Sequence, residues 1–514
     1  MKKILLNTFS LIIFILILSL SFYTHYNLRY YLRFGDEVGH LYSGHLILNN
    51  KILYKDIQLN HQPIPYIYSA IIEKIAQPEN LYKYIGYQRM SIFIYSLFWN
   101  IIYFIYFGKI SLVFIFLFEF LKLFYLGFQN LGETFAVYPL IFLIGSIYKN
   151  YINEKTTYFD IVLYSFANFL AFFSLAPLWP ALFFLFIFKF ILLKTKKEKI
   201  ILIITSIFLI SILGIFIPYS DYFRETIYYN YKYFLPSFKH NLNIFQYLFF
   251  PFQPFLPPYD LISIIIGLFT IIFVTNLFIT SKKNKKIFKI LIFFIFIIYL
   301  LNTRDPIIKF DKFPKFHMLP WIGAYLIINI LTLKYLVKNK IKIAKIFIFS
   351  ILVITCYLIL FKNGDYYKKR DFMNDFYINY SESEKYGRII KALKNNQDKL
   401  LVIPNDPLIY YLTNIKPPIR INEYYLWTQK IPDDNKKLIN LFKNSPPEFV
   451  VNIGNTNGLD KNNFLEKYVL DNLEKNYIVL KHLNENSKLY IQKDKIKQIN
   501  DYQLKQMKDL LFSF

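Results

Sequence analysis

The sequence predicts a polytopic α-helical membrane protein carrying a small extracytoplasmic α/β domain at its C-terminal end. Three observations predict it. The 514 residues are 55% hydrophobic and 20% aromatic. The apolar residues gather in blocks of roughly 17 to 22, the length of helix that crosses about 30 Å of hydrocarbon. The formal charge of +26 is spread unevenly, with lysines at one set of block ends and acids at the other.

The blocks lie near 4–24, 91–107, 110–127, 134–148, 158–174, 177–193, 200–218, 261–280, 287–301, 319–335 and 346–361, which gives about eleven spans. The first is longer than a signal-peptide core and no small-residue cleavage pattern follows it, so it is expected to stay as a helix. Lys2, Lys109, Lys149, Lys194 to Lys199, Lys282 to Lys289 and Lys334 to Lys345 fall on one side if the spans alternate. That side is the cytoplasm, because basic residues in short loops are retained there. The N-terminus is then cytoplasmic, the protein is multi-pass in the plasma (cytoplasmic) membrane, and everything after about residue 362 lies outside. The basic excess is a topology device and calls for no nucleic-acid partner. The single Cys356 sits in the last block, which excludes disulfides and cysteine metal clusters. With 15 Gly against 56 Phe and 45 Tyr, helix packing is expected to come from interlocking rings rather than small-residue contacts.

Residues 1–361 thus form a transmembrane domain with outer loops at 25–90, 219–259 and 302–318, and residues 362–514 form the soluble domain. In the first loop, Gly39 to Leu48 and Ile64 to Ile75 read as short helices lying on the membrane surface, joined by a turn at Gln62-Pro63-Ile64-Pro65. Loop 219–259 is rich in Tyr, Phe and Pro, the character of a segment in the headgroup layer. In the tail, Lys399 to Pro404 and Phe449 to Gly454 are short apolar runs ended by Pro or Gly and read as buried strands. Asp406 to Thr413 reads as a helix with an Asp cap and Pro at its first position. Asp460 to Asn476 reads as an amphipathic helix, and Tyr477 to Leu483 with Lys488 to Gln492 as a closing pair of strands. The tail holds no Gly-rich phosphate loop or metal-ligand spacing, so it is expected to be a binding or structural lid.

The adjacent acids Asp36 and Glu37 follow the first block directly. Two ionised carboxylates at a membrane boundary are costly unless water, a cation or a substrate sits beside them. A catalyst that takes a proton from an acceptor, while its other substrate stays in lipid, needs such a placement. The bland counterpart is a solvated pair of loop acids. Glu119 and Lys122, three apart in one block, read as a structural ion pair.

Asp36-Glu37, then Leu53-Tyr54-Lys55-Asp56, then Asn60-His61-Gln62-Pro63-Ile64-Pro65-Tyr66 stand in an order that resembles the polytopic GT-C glycosyltransferases. Within them the resemblance is to the branch of protein O-mannosyltransferases and lipid A aminoarabinose transferases. Gly132-Glu133, Lys315 to Pro320, Val402 to Pro407 and Pro446 to Val450 are similar to later segments of that group. One departure stands out: where the group often has Lys before the Pro step, as a phosphate contact, this chain has His61-Gln62.

The resemblance implies transfer of a sugar from a polyprenyl-phosphate donor to an acceptor on the outer face, by a single displacement with inversion. The acceptor is a protein, a glycolipid or a polymer, and membrane lipid is the other partner. Asp36 is the expected general base, since a hydroxyl is a poor nucleophile without one, and Glu37 orients the acceptor or helps hold a cation. Arg304, Lys315, His317 and Arg89 are the expected partners of the donor phosphate, whose developing charge needs them. Tyr54, Asp56, His61 and Glu133 are expected at the acceptor or sugar. Asp36 and Glu37 serve equally with or without a divalent cation such as Mg or Mn. Asp56 has a rival role in closing a turn, Glu133 in complementing a helix dipole, and the cations of 302–318 in binding lipid headgroups. The alternative function is a transporter or flippase of lipid or lipid-linked sugar, which accounts for the spans but not for the outer tail or the outward acids.

Overall fold

The structure is a computed structural model that describes residues 2–152, 156–237, 261–301, 316–338, 353, 366–403, 406–420, 428–452, 464–484 and 487–512. It is mostly helical, and each predicted block before 346–361 coincides with a helix; that last block lies outside the described residues. The chain opens with α1 (Lys2–Leu28), α2 (Gly35–Leu48), α3 (Pro63–Ala76), α4 (Leu81–Phe107), α5 (Ser111–Leu121) and α6 (Gly132–Tyr151). There follow α7 (Tyr158–Phe172), α8 (Trp179–Leu192), α9 (Lys196–Phe216), α10 (Tyr219–Phe223), α11 (Leu261–Lys283), α12 (Lys285–Leu301) and α13 (Leu319–Lys338). Among the described residues four helical runs are long and apolar enough to cross a membrane: Thr8–Leu28, Leu81–Tyr125, Lys196–Phe216 and Phe316–Leu333. Tyr158–Phe172, Ala176–Leu192 and Ile266–Lys282 are apolar but shorter.

The run from Leu81 to Tyr125 folds back on itself. Gly108 has φ 70° and ψ −156°, which breaks the helical path. Asn100 Nδ2 then donates to Glu119 Oε1 at 2.8 Å, although nineteen residues of straight helix would separate them by about 28 Å. α4 and α5 therefore form the hairpin that the two blocks at 91–107 and 110–127 predicted. Along α6 every side chain from Gly132 to Tyr148 is buried. It forms the axis of the bundle, with α13 and α7 packed against it. α9 is the opposite case: Ile203, Ile204, Ile207, Phe208, Ile215 and Phe216 are all exposed. A continuous apolar face of that extent is unfavourable in water and suits hydrocarbon. Rings do interlock across the bundle, as in Phe14 stacked on Phe104 at 4.5 Å and Phe188 on Phe293 at 4.1 Å.

The C-terminal part adds α14 (Phe372–Leu393), β1 (Leu400–Ile403), α15 (Leu408–Thr413), α16 (Pro432–Asn444), β2 (Phe449–Asn452), α17 (Phe464–Asn476), β3 (Tyr477–Asn484) and β4 (Ser487–Gln492). The sheet order is β1-β2-β4-β3. β1 and β2 run parallel, with Leu401 opposite Val450, and α16 lies in the crossover that a parallel pair requires. β3 and β4 form the antiparallel closing hairpin. All four strands fall where the apolar runs predicted. Asp406 departs from its expected capping role: its carboxylate accepts from Ser383 Oγ at 2.6 Å and forms an ion pair with Arg33, Nη2 to Oδ1 2.6 Å, tying the tail to the segment after α1.

α2 also departs from expectation. It starts at Gly35 rather than Gly39, and Glu37 to Gly44 and Leu46 are buried. It does not lie on the surface, because α15 and the sheet cover it. Tyr42, Leu46, Tyr54 and Tyr66 share one core with Tyr410, Val402, Phe449 and Leu489, and Tyr84 of α4 stacks on Tyr411 at 4.5 Å. The tail therefore braces the first outer segment from behind.

Candidate functional site

A cavity of about 280 Å³ opens where residues of 36–65, 131–133, 174–177 and 230–234 meet His317. That is near the lower end of small-molecule pockets. From α2 come Asp36 and His40, from the following loop Asn60, His61 and Gln62, and from the start of α3 Pro65. Leu131, Gly132 and Glu133 form the opening of α6; Ser174 to Pro177 close one side, and Asn230, Phe234 and His317 the other. The predicted loops 25–90, 219–259 and 302–318 each contribute described residues to this one cavity. Arg304 and Lys315 lie outside the described residues. Among the described residues none after 366 lines the cavity.

Local geometry explains why these groups meet. Asp36 and Glu133 each sit in the first turn of a helix, where the dipole favours a carboxylate. Gly132 must be glycine, since a Cβ there would lie 2.5 Å from the Ser174 carbonyl oxygen. That close approach presses the 174–177 loop against Glu133. His317 Nδ1 and Glu133 Oε1 are 2.7 Å apart, with Glu133 almost fully buried and His317 one-third exposed. Phe316, beside it, packs edge-on to Phe34, just before Asp36. Gln62 is pinned by the Tyr222 hydroxyl, which donates to its Oε1 at 2.6 Å. Asn230 Nδ2 donates to the Asn60 carbonyl at 2.9 Å, joining the second outer segment to the first.

Glu37 and Arg89, expected at the reaction and at the donor phosphate, are placed together elsewhere. Both are buried, and neither lines the cavity. Arg89 Nη2 donates to Glu37 Oε2 at 2.5 Å and Nε to Oε1 at 3.0 Å; the Asn130 N–H also donates to Oε1, at 3.1 Å. The guanidinium further donates to the carbonyls of Tyr31 and Leu32 and to the Tyr380 hydroxyl. This clamp ties the exit of α1, α2, α4, the loop before α6 and α14 to one another. A guanidinium buried in this network is not placed to meet a phosphate in the cavity.

Tyr54 and Asp56 are placed behind the cavity. Tyr54 is buried at φ 66°, and its hydroxyl donates to the His61 carbonyl at 2.9 Å. Asp56 closes its own turn, with Oδ2 accepting from the Ile52 N–H at 2.9 Å. Both shape the loop that carries His61. Among the described residues no three His, Cys, Asp or Glu side chains converge as a metal would require. Glu37, taken up by Arg89 and Asn130, does not pair with Asp36 around one ion. Glu119 is likewise saturated, accepting from Ser21, Asn100, Tyr138 and Lys122. It is the structural ion pair that its spacing suggested.

Sequence reading missed His40, Asn60 and Asn230. His40 is 2% exposed, between the Asn130 carbonyl (2.7 Å from Nδ1) and His61 Nδ1 (2.9 Å from Nε2). Burial first, then the neighbouring His61, pushes its pKa down to about 4. One signal was available: His40 lies four residues after Asp36, which puts both on one face of a helix.

No protein-family model and no curated protein matches the sequence. Among solved structures, the chain is similar to ArnT from Cupriavidus metallidurans, a lipid A aminoarabinose transferase of the GT-C fold. Against ArnT bound to undecaprenyl phosphate the TM-score is 0.52 at 10% identity, covering 93% of this chain and 97% of that one. Against the apo state it is 0.53 at 11% identity, covering 94% and 98%. The chain thus has a GT-C-like fold over most of its length.

Proposed function

We propose that this protein is a membrane glycosyltransferase that moves a sugar from a polyprenyl-phosphate carrier to an acceptor on the outer face of the membrane. The observation that carries the reading is the cavity itself. It gathers Asp36, Glu133, His61 and His317 in a fold shared over nearly its whole length with a protein that binds undecaprenyl phosphate. The N-terminus is cytoplasmic in this reading, and 362–514 is an extracytoplasmic domain.

Asp36 acts as the general base. It lines the cavity at the start of α2, within reach of a ligand and clear of the Glu37–Arg89 clamp. The acceptor oxygen attacks the anomeric carbon as Asp36 takes its proton; the bond to the phosphate oxygen breaks, and its electron pair leaves with the lipid phosphate. One displacement inverts the configuration. Glu133, held by His317, and the imidazole of His61 offer hydrogen bonds to sugar hydroxyls. The cavity lining contains imidazoles and carboxylates but no lysine or arginine among the described residues, which suits a sugar better than a phosphate. The donor phosphate needs cations to stabilise the leaving group, a role this reading gives to Arg304 and Lys315, which lie outside the described residues.

The test is direct. Purified protein in lipid bilayers is incubated with a panel of polyprenyl-phosphate pentoses and hexoses and with hydroxyl-bearing protein, glycolipid and polymer acceptors, and free polyprenyl phosphate is measured. Consumption of at least one donor is expected. A folded preparation that consumes none, yet exchanges lipid-linked sugar between leaflets, supports the transporter alternative instead.

A further inference from the structure

Asn230 joins the cavity from the second outer segment with only one of its two side-chain polar atoms engaged. Its Nδ2 donates to the Asn60 carbonyl at 2.9 Å and to the Thr226 carbonyl at 2.8 Å. A backbone carbonyl can only accept, so these two contacts fix which end of the amide is nitrogen and which is oxygen. Oδ1 is therefore an acceptor held in one place, and it is buried with no hydrogen-bond partner among the described residues. Ser174, from the loop between α7 and α8, is 2% exposed, and its Oγ is likewise buried without a partner among the described residues. Such atoms are destabilising unless something meets them. Both residues line the cavity, where a ligand can.

The mounting of Asn230 is firm. Arg224–Phe234 winds as a π-type helix, a rare form that recurs at functional sites, and both Asn230 and Phe234 of this segment line the cavity. Near its start, Glu225 forms an ion pair with Arg420 of the tail at 2.6 Å, and Tyr229 packs with Ile431. The Asn60 contact fastens the same segment to the loop that carries His61. An acceptor so held selects its ligand without first having to be ordered.

We propose that Asn230 is a specificity-determining residue that reads the transferred sugar: Oδ1 accepts a hydrogen bond from one of its free hydroxyls, and Ser174 Oγ pairs with another. The proposal rests on the glycosyl-transfer reading. An amide oxygen has lone pairs and no proton. It takes a hydroxyl and rejects a deoxy, O-methyl or fluoro group at the same carbon. The carboxylates of Asp36 and Glu133 belong to the same lining, with no lysine or arginine among its described residues. The ligand class is accordingly a sugar with unsubstituted, donating hydroxyls.

The experiment measures binding of polyprenyl-phosphate hexoses and pentoses to the full-length protein in nanodiscs, with no acceptor present. Each sugar is compared with its singly deoxygenated and singly fluorinated forms, because fluorine cannot donate. In the wild type, replacing one particular hydroxyl by hydrogen or by fluorine should weaken binding about tenfold to a hundredfold. Asn230→Ala should close that gap to within about threefold and leave the gaps at other carbons unchanged. Ser174→Ala should close a gap at a different carbon. A purely structural role for Asn230 would weaken every sugar alike.

A gap that survives in Asn230→Ala, a uniform loss across all sugars, or wild-type affinity restored by fluorine overturns the assignment. If Asn230→Ala fails to fold, Asn230→Leu, of similar shape, takes its place, and the wild-type fluorine result still decides the direction of the bond. Transfer is followed in parallel. An effect of Asn230→Ala on transfer alone, with donor binding unaltered, moves the contact to the acceptor and overturns the reading of the sugar. Donors that bind and are never consumed defeat the transfer reading, while the hydroxyl gap judges Asn230 on its own. A folded protein that binds none of them defeats both.

Discussion

Asp36 and Glu37 are neighbours in the chain, yet they belong to two regions with opposite physics. The Glu37 region is a dry clamp: a carboxylate with 0% exposure, a guanidinium with 1%, and a donor or acceptor for nearly every polar atom. The Asp36 region is a cavity with room for a ligand, where carboxylates and imidazoles face an opening. Consecutive residues on a helix point about 100° apart, so one turn of α2 serves both. The lesson is that adjacent acids on one helical turn can serve different ends: Glu37 fixes the frame and Asp36 faces the cavity.

The sharpest way to break this comparison is to remove the clamp. Arg89→Ala leaves Glu37 buried without its partner, and losing one member of a buried pair costs about 3–5 kcal/mol. Thermal unfolding in detergent should show a large loss of stability, with tail and bundle loosening together because Tyr380 of α14 shares the guanidinium. A stable, wild-type-like Arg89→Ala would mean that the frame is held elsewhere.

The next effect is pH-dependent and comes from His40. Its folded pKa of about 4 lies below the ordinary 6.5. Between these values the unfolded chain binds a proton that the folded one refuses. Stability from this group is therefore complete above about pH 6.5 and falls by roughly 3 kcal/mol as pH drops toward 4. His40→Asn should flatten that part of the stability–pH curve. An equally steep curve in the variant would assign the acid sensitivity to other groups.

A smaller effect is expected where the tail meets the second outer segment. Arg420 donates to Glu225 at 2.6 Å and to Asp434 at 2.9 Å, and its carbonyl accepts from the Gln58 N–H. Burial first, then Asp434, raises the Glu225 pKa, with Arg420 opposing it. Arg420→Met should leave the bundle intact, cost about 1–3 kcal/mol, and increase proteolysis near residue 225. Unchanged protease resistance would show that this contact does not hold the tail in place.

What was legible in the sequence follows the same physics. The blocks at 91–107 and 110–127, and the strands at 399–404 and 449–454, are local hydrophobic signals, and the fold honours them. The Asp36 position was legible from its place after the first span. The pairing of Glu37 with Arg89 was not, because it joins residues 52 apart that no local pattern links. Starting α2 at Gly39 hid the rest. Once the helix begins at Gly35, Asp36 and His40 share a face and Glu37 turns away from both. Tyr54 and Asp56 carried a sequence motif but serve the backbone of the His61 loop. Motif membership marked the right loop there and the wrong atoms.

The measurement that tests the division most directly compares Asp36→Asn with Glu37→Gln in one assay of sugar transfer, with unfolding followed in parallel. Asp36→Asn removes a base and little volume, so it should lower turnover by about 10² to 10⁴ while unfolding and donor binding match the wild type. Glu37→Gln should lose stability first, with activity falling only in step with the folded fraction. Wild-type turnover in Asp36→Asn, or a fully stable Glu37→Gln that has lost transfer, would contradict the account and move the chemistry to the other carboxylate.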